Sequence, residues 1–568
     1  MNQFTVEVPM MADVLATIRS DSSIARRDAM ISALHSVERW SGRSLREIPA
    51  NLTQLRLLFD ATGPAVLGIA PQTFANVKSL CLAALKASEL VPGMMRNAAV
   101  GRPTDPAWLA IWPVLTTLSQ RSQISRLASW CRRHGIHPEE VDDNVIDGVM
   151  TEMAATSFRQ NQHRVRRSMT MVWNHVVEAL PHLDLQTVTI PPTRLRRTQL
   201  PLDMFPASFM EDWNGFARWA HGEDVFADDA RPKPLKLTTL DMIFRYVHSA
   251  ATALVETGVA VSEIRSLADL VTRDAFKAIL RHRFEKAGGK ATSFNTYMAV
   301  NLIQIAKDWV KVDEDALAEL KRLKAKLPRP SFTMTRKNKL LVTNFDDSRL
   351  KERLLSAPER LWQDLKCTQR YGRWQLAQAQ AALGINILTY LPVRLGNLCT
   401  LAFDEHLVMR DDGRSTLALS ADETKTGAGV EYEIPTALVQ RLTEYREVIA
   451  PAVIGRRPKH LFCDLDDNIK TLATTRYLIQ RYLKLYVGIH MNPHAFRHLA
   501  AKFILDNNPG AHVVVQHLLG HKKLATTANY YAGVDTLRAG RHHQELLERS
   551  IVERAANGRA GKAKHRAA

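Results

Sequence analysis

Cysteine is scarce in this 568-residue chain: Cys81, Cys131, Cys367, Cys399 and Cys463 are all it has. Odd in number and scattered without paired spacing, they imply neither a disulfide framework nor a zinc motif, and a reducing cytosol suits them. Long apolar runs are missing too. No stretch reaches the roughly 18 residues that would span a bilayer, and the opening MNQFTVEVPM has no basic segment leading into an apolar one. A cytoplasmic protein with no membrane partner is therefore expected. Acidic residues are in deficit, 58 Asp and Glu against 76 Lys and Arg, which leaves a formal charge of +18. A surface this basic favours a polyanion such as nucleic acid. With 46% hydrophobic and 24% charged residues the chain has a globular composition, and its length allows about three or four domains.

Helical periodicity dominates the chain, and the one convincing hairpin lies near residues 416–434. Helical patterns through Ser32–Trp40 and Phe74–Leu85 mark a first unit over residues 1–100, ending near Pro92 and Gly93. A second helical unit occupies 101–205. In it Trp130 to Gly135 close one helix, and Arg164, Arg166 and Arg167 open another that carries Trp173. A third, over 225–330, echoes the second in layout, with one helix ending at Gly258, a segment around Leu267–Phe284 and a last helix ending at Trp309. The Pro- and Arg-rich stretch Pro191–Lys236 reads as their linker. Eight basic residues then crowd together: Lys321, Arg322, Lys324, Lys326, Arg329, Arg336, Lys337 and Lys339. A solvated helix face explains some of these charges, but Pro328 and Pro330 end any helix here while the basic run continues, which favours an extended linker lying along DNA phosphates. The main C-terminal domain spans 345–545, and 546–568 form a basic tail.

That domain holds the residues with chemistry. Asn492 is a good N-cap and Pro493 suits a first helical position, so a helix is predicted to start there. Phe496, Leu499, Ala500, Phe503 and Ile504 form its apolar stripe, and His494 and Arg497, three apart, share another face. A second apolar helix through Val513, Val514 and Leu518 ends at Gly520 and leaves His521 at the mouth of a turn; Tyr530 follows nine residues later and Tyr531 ten. Upstream, Arg394 follows a helix broken by Pro392. Lys425 lies near the tip of the hairpin formed by Thr416–Ser420 and Val430–Ile434, whose turn holds Gly427, Ala428 and Gly429. Histidines four apart (His490 and His494, His494 and His498, His517 and His521) raise the question of a metal. Acidic residues are nearly absent around them and Arg497 would sit among the ligands, so no metal is expected.

In order and spacing, Arg394, Lys425, His494-x-x-Arg497, Leu519-Gly520-His521 and Tyr530 closely resemble the catalytic domain of tyrosine recombinases, the phage-integrase family. The likeness covers residues 350–545 well and the N-terminal half only in helical layout. It implies a mainly α fold: helical N-terminal and core-binding domains, then a mixed, mostly helical catalytic domain with a small antiparallel sheet. It also implies Tyr530 as nucleophile, Lys425 as general acid, His494 as the nearest base, and Arg394, Arg497, His494 and His521 on the phosphate. Double-stranded DNA would be the partner of a homotetramer on two sites, with no cofactor and with room for accessory DNA-bending or directionality proteins. Integration or excision of a mobile element is the implied role. Type IB topoisomerases and telomere resolvases share this chemistry, and a DNA-binding regulator with a decayed site is the reading from another class. One departure stands out: the family commonly has a glutamate three residues after the arginine, and here that residue is Asn397.

Overall fold

A computed structural model of the chain describes residues 8–550, apart from 92–93, 95–102, 159–160, 193–198, 225, 227, 229, 291, 328–333, 411–413, 426, 509, 521–539, 541–542 and 545. The described residues are mostly helical and fall into two compact units, one formed by Met1–Pro191 with Thr333–Ala568 and the other by Pro192–Phe332. No helix among them is long and apolar enough to cross a membrane.

The first unit opens with α1 (Met11–Ser20), α2 (Arg27–Ser41), α3 (Leu52–Leu67) and α4 (Pro71–Ser88). Their apolar faces enclose Val14, Ile18, Leu34, Leu55, Phe59 and Leu85, and Trp40 stacks on Phe74 at 5.4 Å. Next come α5 (Pro106–Ala110), α6 (Leu118–His134), α7 (Asp143–Thr156) and α8 (Gln162–Ala179). Thr117 and Gln120 cap α6 reciprocally, and Gly135 ends it in the left-handed conformation, the paired signals of a well-bounded helix. Trp108 and Trp173 meet in this second core at 6.1 Å.

The second unit holds α9 (Ala207–His221), α10 (Leu237–Glu256), α11 (Arg273–Lys286), α12 (Ser293–Ile305) and α13 (Glu314–Ala325). The expected linker Pro191–Lys236 therefore contains a helix. Phe209, Trp213, Phe216 and Ala220 are buried along one side of α9, an aromatic stripe at helical spacing that outweighs the flanking prolines and arginines. The Asp212 carboxylate accepts from the Trp309 indole at 2.8 Å and from the Leu267 amide at 2.7 Å, tying α9 to two later segments.

The expectation of an extended basic linker is corrected as well. Lys321, Arg322 and Lys324 lie on α13, capped by Asp313 and anchored by buried Leu320, with Lys326 at its C-cap. Arg336, Lys337 and Lys339 lie on α14 (Arg336–Asn344), capped by Thr335 and anchored by buried Val342. Leu323 on α13 and Leu341 on α14 add partly buried apolar contacts to the same two cores, so an N-cap and a short apolar face support each helix. Arg329, with Pro328 and Pro330, lies outside the described residues.

The largest core belongs to the remainder of the first unit: α15 (Ser348–Lys366), α16 (Arg373–Tyr390), α17 (Leu395–Cys399), α18 (Phe403–His406), β1 (Leu407–Val408), β2 (Thr416–Leu419), β3 (Val430–Glu433), α19 (Thr436–Glu444), α20 (Pro451–Ile454), α21 (Leu472–Tyr486), α22 (Ala495–Asn507) and α23 (His512–Leu519). The strands form one antiparallel sheet in the order β1-β2-β3, with Leu417 opposite both Leu407 and Tyr432, and Leu419 opposite Val430. The predicted hairpin is thus present. Helix α16 is buried nearly all round, as expected of a central helix. Its most deeply buried polar side chain, Gln380, donates to the Tyr445 hydroxyl and to the Cys463 carbonyl, each at 2.9 Å. Lys502 on α22 is 5% exposed, and Asp506 at 2.9 Å together with Asp346 beyond α14 compensates its charge.

Gly384, midway along α16, is where this core comes closest: a Cβ there would lie 2.7 Å from Phe462 Cζ and 3.4 Å from Ile479 Cδ1. Gly384→Ala should therefore destabilise by roughly 1–3 kcal/mol through overpacking, although alanine is the better helix former by about 1 kcal/mol. Gly396→Ala, with no neighbour within 4 Å, should be neutral or stabilising. Denaturant midpoints of the two variants check the contrast.

Candidate active site

Helix α16 stops because Pro392 has no amide to continue it. The chain turns through Leu391–Val393, and Arg394 becomes the extended N-cap of α17, its carbonyl accepting from Leu398 at 2.9 Å. Burial lowers the Arg394 guanidinium from its ordinary range, and the Tyr432 phenol opposes that shift. Tyr432 projects from β3, where sequence alone marked it only as one of several alternating strand residues.

The His494 segment begins later than predicted. Asn492 Oδ1 accepts from the His494 amide at 3.1 Å, and the next three amides bond to carbonyls three residues back. The chain is therefore a tight turn until α22 starts at Ala495, with His494 as its cap. The i→i+3 bonds satisfy the donors that an earlier α-helical start would have left without partners. Burial differs too. Phe496 and Leu499 are in the core as expected, but Ala501 and Leu505 complete the stripe, while Ala500, Phe503 and Ile504 are only partly covered.

Arg497 is 4% exposed. Its Nη1 donates to the Pro392 carbonyl and its Nη2 to the Leu519 carbonyl, each at 2.5 Å. One guanidinium thus joins α22 to the turn before Arg394 and to the end of α23. The Tyr432 hydroxyl donates to the neighbouring Leu518 carbonyl at 2.8 Å. Gly520 follows with φ +58, and a Cβ there would approach Val430 Cγ1 to 3.2 Å, so β3 lies directly against the end of α23. Burial raises the Tyr432 phenol above its ordinary value, while Arg497 and Arg394 act in the opposite sense.

Lys425 sits exposed on the turn between β2 and β3. Thr424 organises that turn: its hydroxyl donates to the Ala428 carbonyl at 2.8 Å and accepts from the Ala428 amide at 3.1 Å. His494 reports how these parts converge. Burial first, and then the positive charges of Arg497, Arg394 and Lys425, hold its imidazole below the ordinary value of 6.5. His498 packs edge-on against it with ring centroids 5.1 Å apart, a buried neighbour singled out in the sequence only as a potential metal ligand. His521 and Tyr530 lie outside the described residues, as does Tyr531.

Of the basic run, Arg336 and Lys337 share a groove of about 600 Å³ with His490 and Asn492, immediately before His494. Lys321, Arg322, Lys324 and Lys326 belong to the other unit, where Arg322 pairs with Glu319 at 2.9 Å.

Two measurements follow from this geometry. A hydrogen bond from a charged donor contributes about 1.5–3 kcal/mol, so Arg497→Ala should lower stability by at least about 1.5 kcal/mol. Arg497→Lys should also be destabilised, because one ammonium cannot reproduce a fork that spans two carbonyls; thermal unfolding without DNA reads both. Second, the His494 ring in the DNA-free protein should titrate below 6.5 in an NMR pH series. Its folded-state value lies below the unfolded one, so its contribution to stability is present above the unfolded value and is lost as pH falls through the folded one.

Residues 361–537 match the model of the Phage integrase family. Tyrosine recombinase XerC of Treponema denticola is 46% identical over 78 residues, 13% of this chain and 25% of the relative, so the chain spans about a quarter of the length of that curated protein. A crystallised lambda integrase fragment, residues 75–356 bound as a dimer to a COC′ core site, is 16% identical with a TM-score of 0.33, over 53% of this chain and 90% of that one. XerH recombinase bound to its difH substrate is 13% identical with a TM-score of 0.29, over 58% and 95%. Residues 361–537, the segment that contains Arg394, Lys425, His494 and Arg497, are thus a phage integrase family domain.

Proposed function

We propose that this chain is a site-specific DNA recombinase that cuts and rejoins duplex DNA through a 3′-phosphotyrosyl intermediate, serving integration or excision of a mobile element. The observation that carries the reading is the convergence on His494 of three cations from three separate elements, Arg497 of α22, Arg394 at the start of α17 and Lys425 of the hairpin. A phosphodiester resists attack because its nonbridging oxygens are already negative and gain charge in the transition state. Fixed cations aimed at those oxygens act where that charge develops, each donor contributing roughly 2.7–4 kcal/mol.

Tyr530 supplies the nucleophile in this reading. Its phenolic oxygen forms a bond to phosphorus while the bond from phosphorus to the 5′-oxygen breaks. His494, whose neutral form is favoured by burial and by its cationic neighbours, accepts the phenol proton, and the Lys425 ammonium donates a proton to the departing 5′-oxygen. The phosphotyrosyl ester conserves the energy of the broken bond. Attack by a second 5′-hydroxyl then reseals DNA without nucleotide or metal. Arg394, Arg497 and His521 hold the phosphoryl oxygens. Four strands cut in two duplexes need four nucleophiles, so the active assembly is a homotetramer on two sites. Lys321, Arg322, Lys324, Lys326, Arg329, Arg336, Lys337 and Lys339 contact phosphates without reading bases.

Tyr530→Phe should abolish covalent attachment to a nicked suicide substrate while leaving DNA binding nearly unchanged, since only the phenolic oxygen is lost. Tyr531→Phe should retain attachment. Peptide mapping of the trapped complex checks the assignment, and phosphate on Tyr531 would overturn it.

A further inference from the structure

We infer that Glu423, clamped by His406 and Ser420 and bonded through its main chain to Asn397, is the positioning residue of Lys425, setting the reach of the proton donor relative to Arg394. The inference rests on the general-acid role proposed for Lys425. A proton donor must come within hydrogen-bond distance of its oxygen, yet Lys425 stands on an exposed turn that contains two glycines, Gly427 and Gly429. Something must hold the base of that turn.

The Glu423 carboxylate is fully engaged. One oxygen accepts from the Ser420 amide at 2.8 Å and from the Ser420 hydroxyl at 2.6 Å. The other accepts from His406 Nε2 at 2.5 Å. His406 is 5% exposed, and its Nδ1 accepts the Ala402 amide at 2.9 Å. That backbone bond fixes the tautomer: Nδ1 must keep its lone pair, so Nε2 carries the proton and a neutral ring still donates to Glu423. The hydroxyl of Ser420 and the ring of His406 bring the Glu423 carboxyl down to about 2, so it is ionised wherever the protein works.

The second anchor is the main chain. Asn397 Nδ2 donates to the Glu423 carbonyl at 3.1 Å. Asn397 lies three residues beyond Arg394 on α17, and Glu423 two residues before Lys425, so one bond spans the gap between the two groups. This accounts for the departure at position 397, since a glutamate has no donor for a carbonyl and an amide does. Because its oxygens are occupied by Ser420 and His406, Glu423 orders the turn without drawing the Lys425 ammonium into an ion pair, and no ion pair of Lys425 is found among the described residues.

The test is single-turnover cleavage of a normal phosphodiester and of a substrate with a 5′-bridging phosphorothiolate, whose leaving group needs little protonation. Displacing a reacting group by about 1 Å costs on the order of 10²-fold, so Glu423→Ala should slow cleavage of the normal substrate by about that factor. The phosphorothiolate should restore most of the loss, as it should for Lys425→Ala. The double variant should be no slower than Lys425→Ala alone, because both remove one function. Asn397→Asp, at a half-exposed position, removes the donor without opening the core and should show a smaller defect with the same selective rescue. It keeps the test decisive if Glu423→Ala does not fold. Rescue of Lys425→Ala without rescue of either positioning variant would overturn the inference and leave the proposed function standing. No rescue of Lys425→Ala would remove the general-acid role, and the inference with it.

Discussion

One guanidinium holds the site together. Arg497 bonds at once to the carbonyl of Pro392 and to that of Leu519, so the turn that presents Arg394 and the helix end that leads to His521 are both referenced to α22. Both carbonyls come from places where a helix has just stopped, which is where backbone acceptors lack intrahelical donors. A permanently charged, planar donor meets that need in two directions at once, where an ammonium would serve as a single point. The residue proposed to face the phosphate is therefore also a structural brace, and its burial has a purpose in the apoprotein.

Around that brace the polar groups divide by what they must do. Burial and three cations lower the His494 imidazole from its ordinary value, which favours the neutral ring that a base needs. Tyr432 is pushed toward its protonated form by burial and spends its hydroxyl on the Leu518 carbonyl. It lines the same cluster as the arginines yet is occupied in holding β3 to α23. Lys425 stands in solvent on a turn whose order comes from Thr424 inside it and Glu423 at its base. The buried Arg497 and the exposed Lys425 on its hairpin turn thus differ in kind: one is fixed by the protein, the other is open to solvent.

How much of this was legible in the sequence depended on range. Strand alternation at Val430, Tyr432 and Ile434 placed the hairpin, and the Asn492-Pro493 pair placed α22 within two or three residues. The helix began late because a tight turn satisfied the first donors instead. The Pro- and Arg-rich stretch before residue 236 hid α9, although Phe209, Trp213 and Phe216 carried a readable helical stripe. The basic run misled in the opposite direction. Its prolines marked a break, but Leu320 and Val342 on either side held short helices against two separate cores.

By itself the sequence determined which chemical groups are present and the local elements that carry them, because caps, turns and apolar periods act over a few residues. It also revealed, at Asn397, a side chain that did not follow the family habit. Only the tertiary structure decided what those groups meet. Arg497 reaches a carbonyl 105 residues away, Tyr432 one 86 residues away, and Asn397 one 26 residues away. No local spacing specifies such contacts, because they exist only once separate helices and a hairpin have packed on the same core.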